Sequence, residues 1–226
     1  ETVIHKFALG RDDIAYRGEA SVPGTILNQF SMDEYQGNFR VATTLGHVWD
    51  TEKPSSNNLY ILNEDLGRLG QIENMAPGET IYSVRFIGDR AYMVTFKKVD
   101  PFFVIDVSDP SSPAILGSLK IPGFSDYLHP YDENHIIGFG KEAIDASDED
   151  LAAWGLDFDF AWYQGLKIAM FDVTDVANPL ELHSVIIGDR GTDSPLLYDH
   201  KALLFDKERG LMALPVTLAE IPQTVK

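Results

Sequence analysis

Asp189, Asp193, Asp199 and His200 fall within a dozen residues of one another, around the turn Gly188-Asp189-Arg190-Gly191. A cluster of oxygen and nitrogen donors on a Gly-bearing loop is chemistry that calcium can use, because this hard cation collects carboxylate and carbonyl oxygens in flexible geometry. The four residues are therefore candidate metal ligands, with calcium as the expected ion. Their spacing matches no standard calcium loop, and Asp145, Asp148, Asp157 and Asp159 match none either. The competing expectation is pairing of these carboxylates with Arg190 in a loop that joins two structural units.

Two further groups stand at equivalent places in successive repeats: Arg85 and His129. If their strands line a central channel, both side chains can face it and hold an anion. A third candidate surface lies between Lys141 and Gly165, where the chain turns acidic and poor in β-branched residues. Ser147-Asp148-Glu149-Asp150 reads as a capped helix start, since acidic residues suit the positive end of a helix. Leu151 and Trp154 then share a face, and Gly155 suits the helix end. Trp162 and Tyr163 follow in an aromatic and acidic run. Exposed rings beside carboxylates suit sugars or cationic groups, so Trp154, Trp162 and Tyr163 join Arg85 and His129 as candidate ligand-binding residues. His135 occupies a strand position that sister units fill with apolar residues, and is expected to pack.

Recognisable catalytic signatures are lacking: there is no G-x-S-x-G, no H-E-x-x-H, no phosphate loop and no dinucleotide-binding glycine pattern. The 226 residues include no cysteine, which excludes disulfides, thiol catalysis and cysteine-ligated metals. A net charge of −17 disfavours nucleic acid and anionic membranes, whose phosphates need a basic footprint. No apolar run approaches the roughly 18 residues of a transmembrane helix.

The elements that must position these groups are written as a repeat. Leu59-Tyr60-Ile61-Leu62 and Val104-Ile105-Asp106-Val107 begin the same phrase 45 residues apart. Met170-Phe171-Asp172-Val173 repeats it after a longer interval, the same period lengthened by the Lys141–Gly165 stretch. A second phrase of strand, polar turn and strand interleaves with it, around Gly88-Asp89, Asp132-Glu133-Asn134 and Lys207-Glu208. Four short strands per unit of this length predict an all-β fold, a β-propeller of four-stranded antiparallel blades. Near-continuous apolar runs such as Phe102-Phe103-Val104-Ile105 fit strands buried on both faces. Residues 1–226 thus read as one propeller domain, or a fragment of a larger ring, with three full blades and two half-blades. Thr2–Leu9 with Ile14–Val22 resemble the outer two strands of one blade, and His200–Phe205 with Leu211–Val216 the inner two of another. These halves can close on each other as a four-bladed ring or be the edges of a six- to eight-bladed one.

Several phrases resemble a family of secreted bacterial and archaeal β-propeller-domain proteins, distantly similar to WD-repeat propellers. Gln29-Phe30-Ser31-Met32-Asp33-Glu34-Tyr35, Tyr82-Ser83-Val84-Arg85-Phe86, Gly188-Asp189-Arg190-Gly191-Thr192 and Tyr198-Asp199-His200-Lys201-Ala202 carry the resemblance. It implies an exported or surface-bound protein, extracellular in location, and a chain whose relatives are longer, so that further blades of its own are expected partners. It implies no particular activity. The expected function is a non-enzymatic binding or scaffolding module for a protein or carbohydrate ligand. The alternative is a metal-assisted hydrolase or lyase at the channel mouth, built on Asp189, Asp193, Asp199 and His200 with Arg85 and His129.

Overall fold

A computed structural model describes residues 1–48, 50, 52–97, 100–146 and 161–222. Three antiparallel four-stranded sheets follow one another along the chain. The first is β3 (Met32–Tyr35), β4 (Asn38–Leu45), β5 (Ser56–Leu62) and β6 (Arg68–Met75). The second is β7 (Thr80–Ile87), β8 (Arg90–Phe96), β9 (Asp100–Asp106) and β10 (Ala114–Ile121). The third is β11 (Phe124–Pro130), β12 (His135–Asp145), β13 (Ala161–Asp172) and β14 (Leu180–Ile187). Two-stranded sheets flank them: β1 (Thr2–Leu9) with β2 (Ile14–Val22), and β15 (Leu204–Asp206) with β16 (Leu211–Ala213). These two hairpins belong to separate sheets, so the described residues contain no ladder that joins them.

Successive side chains of a strand point to opposite faces, and here both faces are covered. Leu59 and Ile61 pack with Ala91, Met93 and Ile105 of the second sheet. Their neighbours Tyr60 and Leu62 pack instead with Val22, Ile4 and Ala20 from the first hairpin. Strand β8 repeats the division: Tyr92 and Val94 pack with Leu128, Ile136 and Phe171 of the third sheet. Ile137 and Phe139 in turn meet Leu196, Phe205 and Leu214 near the last hairpin. This face-to-face stacking explains why the central strands read as unbroken apolar runs.

The outer edges approach closely enough to require glycine. A Cβ on Gly117 of β10 would lie 2.3 Å from the Val176 carbonyl oxygen and 2.8 Å from that of Ala177, in the following sheet's loop. Gly70 of β6 stands in the same relation to the Pro110 carbonyl oxygen, at 2.4 Å. Both obstacles are backbone, so neither can swing aside. Gly117→Ala is therefore expected to destabilise by about 1–3 kcal/mol, as overpacking does, read as a lower denaturation midpoint; an unchanged midpoint would show that the two sheets separate freely.

Three local readings are corrected. The stretch from Lys141 to Gly165 is not wholly an insertion: β12 runs to Asp145 and β13 starts at Ala161, with Ala143 opposite Tyr163 and Ile144 opposite Trp162. Cross-strand pairing overrides the polar composition there. Residues 147–160, including the expected helix and Trp154, lie outside the described residues. Gln29–Ser31 is a 3-10 turn, and His200–Ala202 is a second such turn rather than the start of a strand. Asn28 and Ser31 cap the first reciprocally, and Asp199 caps the second through the Lys201 amide. Finally, His135 does not simply pack, because its Nδ1 lies 2.8 Å from Asp132 Oδ1 and its ring edges onto Tyr131.

Candidate functional site

Strands β7 and β11 lie side by side as the innermost strands of their sheets, joined by a Ser83 hydroxyl that donates to the Ser125 carbonyl at 2.6 Å. Arg85 and His129 come from these strands, and the 3-10 turns at either end of the chain deliver Phe30 and His200 to the same place. The Arg85 guanidinium sits over the Phe30 ring at 4.3 Å and over Tyr127 at 5.7 Å. His200 edges onto Phe30 with ring centroids 4.7 Å apart and stacks beside Tyr127 at 6.1 Å. His129 shares a 3.0 Å hydrogen bond with the Tyr127 hydroxyl and meets the Phe205 ring at 4.4 Å. Burial lowers the pKa of His129, and the nearby Arg85 charge lowers it further. Burial likewise raises that of Tyr127, against the opposing pull of Arg85.

A second titratable group sits one position before Tyr127. The β11–β12 register slips between Ser125 and Tyr127, and the extra residue is Asp126. Bulges of this kind re-aim a side chain. Burial pushes the Asp126 carboxyl up to about 7, with Lys141 opposing and Asp193 reinforcing the rise. Lys141 is already engaged, 3.0 Å from Asp193 Oδ1 and donating to the Thr192 carbonyl at 2.9 Å. Asp193 also accepts from the Tyr198 hydroxyl at 3.2 Å.

The third region lies where the β12–β13 hairpin extends beyond its sheet. The β7–β8 register slips at Tyr82, at the place equivalent to Asp126. The Tyr82 ring packs against Phe96 and Phe124 at 5.4 and 4.7 Å. Tyr163 closes the group 4.9 Å from Phe124, its hydroxyl 3.2 Å from that of Tyr82. Tyr82, Phe96 and Tyr163 line an open cleft of about 240 Å³ with Val48, Thr80, Lys97 and Ala161. Tyr163 remains 42% exposed, and Arg190 lies 4.2 Å over the neighbouring Trp162 ring.

A model of the beta propeller domain matches residues 1–226. The chain belongs to that family. An uncharacterized protein of Archaeoglobus fulgidus is 40% identical over 215 residues, covering 95% of this chain and 30% of its own length. An uncharacterized protein of Methanocaldococcus jannaschii is 42% identical over 194 residues, covering 86% of this chain and 28% of its own. The chain thus spans less than a third of the length of these curated relatives. The four-stranded sheets are propeller blades.

The propeller distributes the candidate residues unevenly. Arg85, His129 and His200 converge, although His200 entered as a metal ligand and the other two as anion-binding groups. Asp189, Asp193 and Asp199 are held apart. Asp189 Oδ2 accepts from the Ile221 amide at 2.8 Å, Asp193 pairs with Lys141, and Asp199 caps the turn that carries His200. Among the described residues, no group of three or more His, Cys, Asp or Glu side chains gathers as a metal ion would require. Arg190, the expected partner of these carboxylates, lies over the Trp162 ring. Asp126, Lys141 and Tyr127 escaped the sequence reading. The available signal was a carboxylate inside the apolar run from Phe124 to Leu128.

Proposed function

We propose that this chain is part of an extracellular, non-enzymatic binding module, with the aromatic cleft below the β12–β13 hairpin as its ligand seat. The cleft carries the reading. Tyr82 and Tyr163 offer ring surface backed by the buried Phe96 and Phe124, while the paired tyrosine hydroxyls offer polar direction. Such a surface suits a pyranose ring or the flat apolar side chain of a protein partner. The extracellular placement rests on the resemblance of the Gln29–Tyr35 and Tyr198–Ala202 phrases to exported propellers.

Further blades of the longer protein are the proposed intramolecular partners. The first hairpin leaves Val3, Phe7 and Tyr16 exposed, and β14 leaves Leu180, Val185 and Ile186 exposed. These are faces that a neighbouring blade covers elsewhere in the molecule.

Calorimetric titration against a panel of neutral and acidic oligosaccharides tests the ligand seat, with product analysis of the same mixtures. The expected result is binding without bond cleavage, weakened about threefold to tenfold in Tyr163→Ala, the range for loss of one ring contact. Cleavage of a sugar, ester or phosphate in those mixtures would overturn the non-enzymatic reading. The hydrolase or lyase alternative draws on one observation: a carboxyl that burial holds near neutrality, Asp126, beside Lys141 and Asp193. Groups tuned this way serve as general acids and bases. Asp126→Asn would then abolish the cleavage.

A further inference from the structure

Arg40 shows how this propeller satisfies a buried guanidinium. It is 2% exposed, grips Asp33 through Nε at 2.7 Å and Nη2 at 2.5 Å, and donates through Nη1 to the Gly88 carbonyl at 2.5 Å. Arg85, in the next blade, is treated differently. Among the described residues no carboxylate forms an ion pair with it, and its surroundings are the Phe30 and Tyr127 rings and the Tyr127 hydroxyl. Ring faces satisfy the charge in part but take up few of the guanidinium N–H donors. Asp126, adjacent to Tyr127 in sequence, feels Lys141 and Asp193 rather than Arg85.

Hydrogen-bond directions determine what the neighbours offer. The Tyr127 hydroxyl shares a 3.0 Å hydrogen bond with His129 Nδ1, and the Arg85 guanidinium lies over the same tyrosine ring. The Gln29 amide nitrogen, a donor, lies 3.2 Å from His200 Nδ1, which leaves the ring proton of His200 on Nε2. Three units separated widely in sequence thus bring together a guanidinium and two imidazole rings around one aromatic pair. Among the described residues no carboxylate forms an ion pair with any of the three, although the chain has a net charge of −17.

We propose that Arg85, His129 and His200 form a binding site for a small oxyanion, a carboxylate or phosphate group carried by a small molecule. The site shares none of its residues with the aromatic cleft and stands or falls separately from it. Oxygen acceptors would take up the Arg85 donors that no carboxylate meets, and the anionic charge would relieve the repulsion between Arg85 and a protonating His129. The aromatic walls of Phe30, Tyr127 and Phe205 limit the competition from water.

Inorganic phosphate and succinate are the probes, titrated calorimetrically at pH 8 with ionic strength held by chloride. At least one is expected to bind, and Arg85→Gln should weaken it about tenfold or more, as removal of a charge-assisted hydrogen bond does. Phosphate alone or succinate alone identifies the anion class. Binding by neither overturns the proposal, and so does equal affinity in a folded Arg85→Gln protein. Should that variant fail to fold, imidazole nitrogen resonances of the native protein decide the matter. The His129 and His200 ring-nitrogen signals must both move on addition of the anion, and stationary signals refute the site.

Discussion

Asp126→Asn is expected to raise the melting temperature at pH 8 while leaving it near the native value at pH 4. The folded protein holds this carboxyl at about 7, against an ordinary value of 3.8. The folded state therefore binds a proton that the unfolded chain has released throughout that interval. The stabilisation by the protonated form is complete below the ordinary carboxylate value and is lost as pH rises through about 7. The difference between the folded and ordinary values corresponds to on the order of 4 kcal/mol, or roughly 10 °C for a domain of this size. Burial is the leading cause, and Lys141 offers limited relief because it already serves Asp193 and the Thr192 carbonyl. Asparagine reproduces the shape of the protonated acid without the cost of charge. Paired melts of the two proteins at pH 4, 6 and 8 should diverge with pH; parallel curves would mean that Asp126 ionises in the fold as it does in water.

The second large effect belongs to the junction between the second and third blades. Phe102 is fully buried, stacked on Phe171 at 4.7 Å and on Tyr92 at 5.9 Å, so one ring joins two sheets. Phe102→Ala is expected to cost about 3–5 kcal/mol through lost transfer energy and the cavity left behind. Backbone ladders cannot close that cavity, because Val104 and Ile105 of the same strand are themselves packed on opposite faces. Thermal and urea denaturation should both show the loss, with Phe102→Leu intermediate. A cost below about 1 kcal/mol would show that these blades are held by their edges rather than by their faces.

The recurring phrases around Leu59, Val104 and Met170 correctly marked the strands of three blades, and the polar turns marked the hairpins between them. That reading worked because apolar side chains on both faces of a strand leave a local and repeated trace. It failed where local side-chain caps or cross-strand pairing set the conformation. Gln29–Ser31 and His200–Ala202 have strand-like surroundings in sequence, yet side-chain caps wind both into 3-10 turns. Lys141–Asp145 looked like part of an insertion because it is polar, although β13 supplies its ladder partners. The bulges at Tyr82 and Asp126 have no local signature, since a register slip is a property of two strands together.

The candidate site divides along the same line. Arg85 and His129 could be found from the repeat, because equivalent positions of equivalent strands face the same way. Asp189, Asp193, Asp199 and His200 lie close along the chain yet take different partners: the Ile221 amide, Lys141, the Lys201 amide and Gln29. The amino-acid sequence by itself determined the all-β class, the blade period and the double burial of the central strands, since each is encoded within a single unit by hydrophobicity and turn chemistry. Only the tertiary structure decided that His200 meets Gln29, 171 residues earlier, and that both stand beside Arg85 and His129. Such a meeting depends on how whole blades stack and where their ladders slip. Those quantities arise from packing between units and leave no pattern within any one of them.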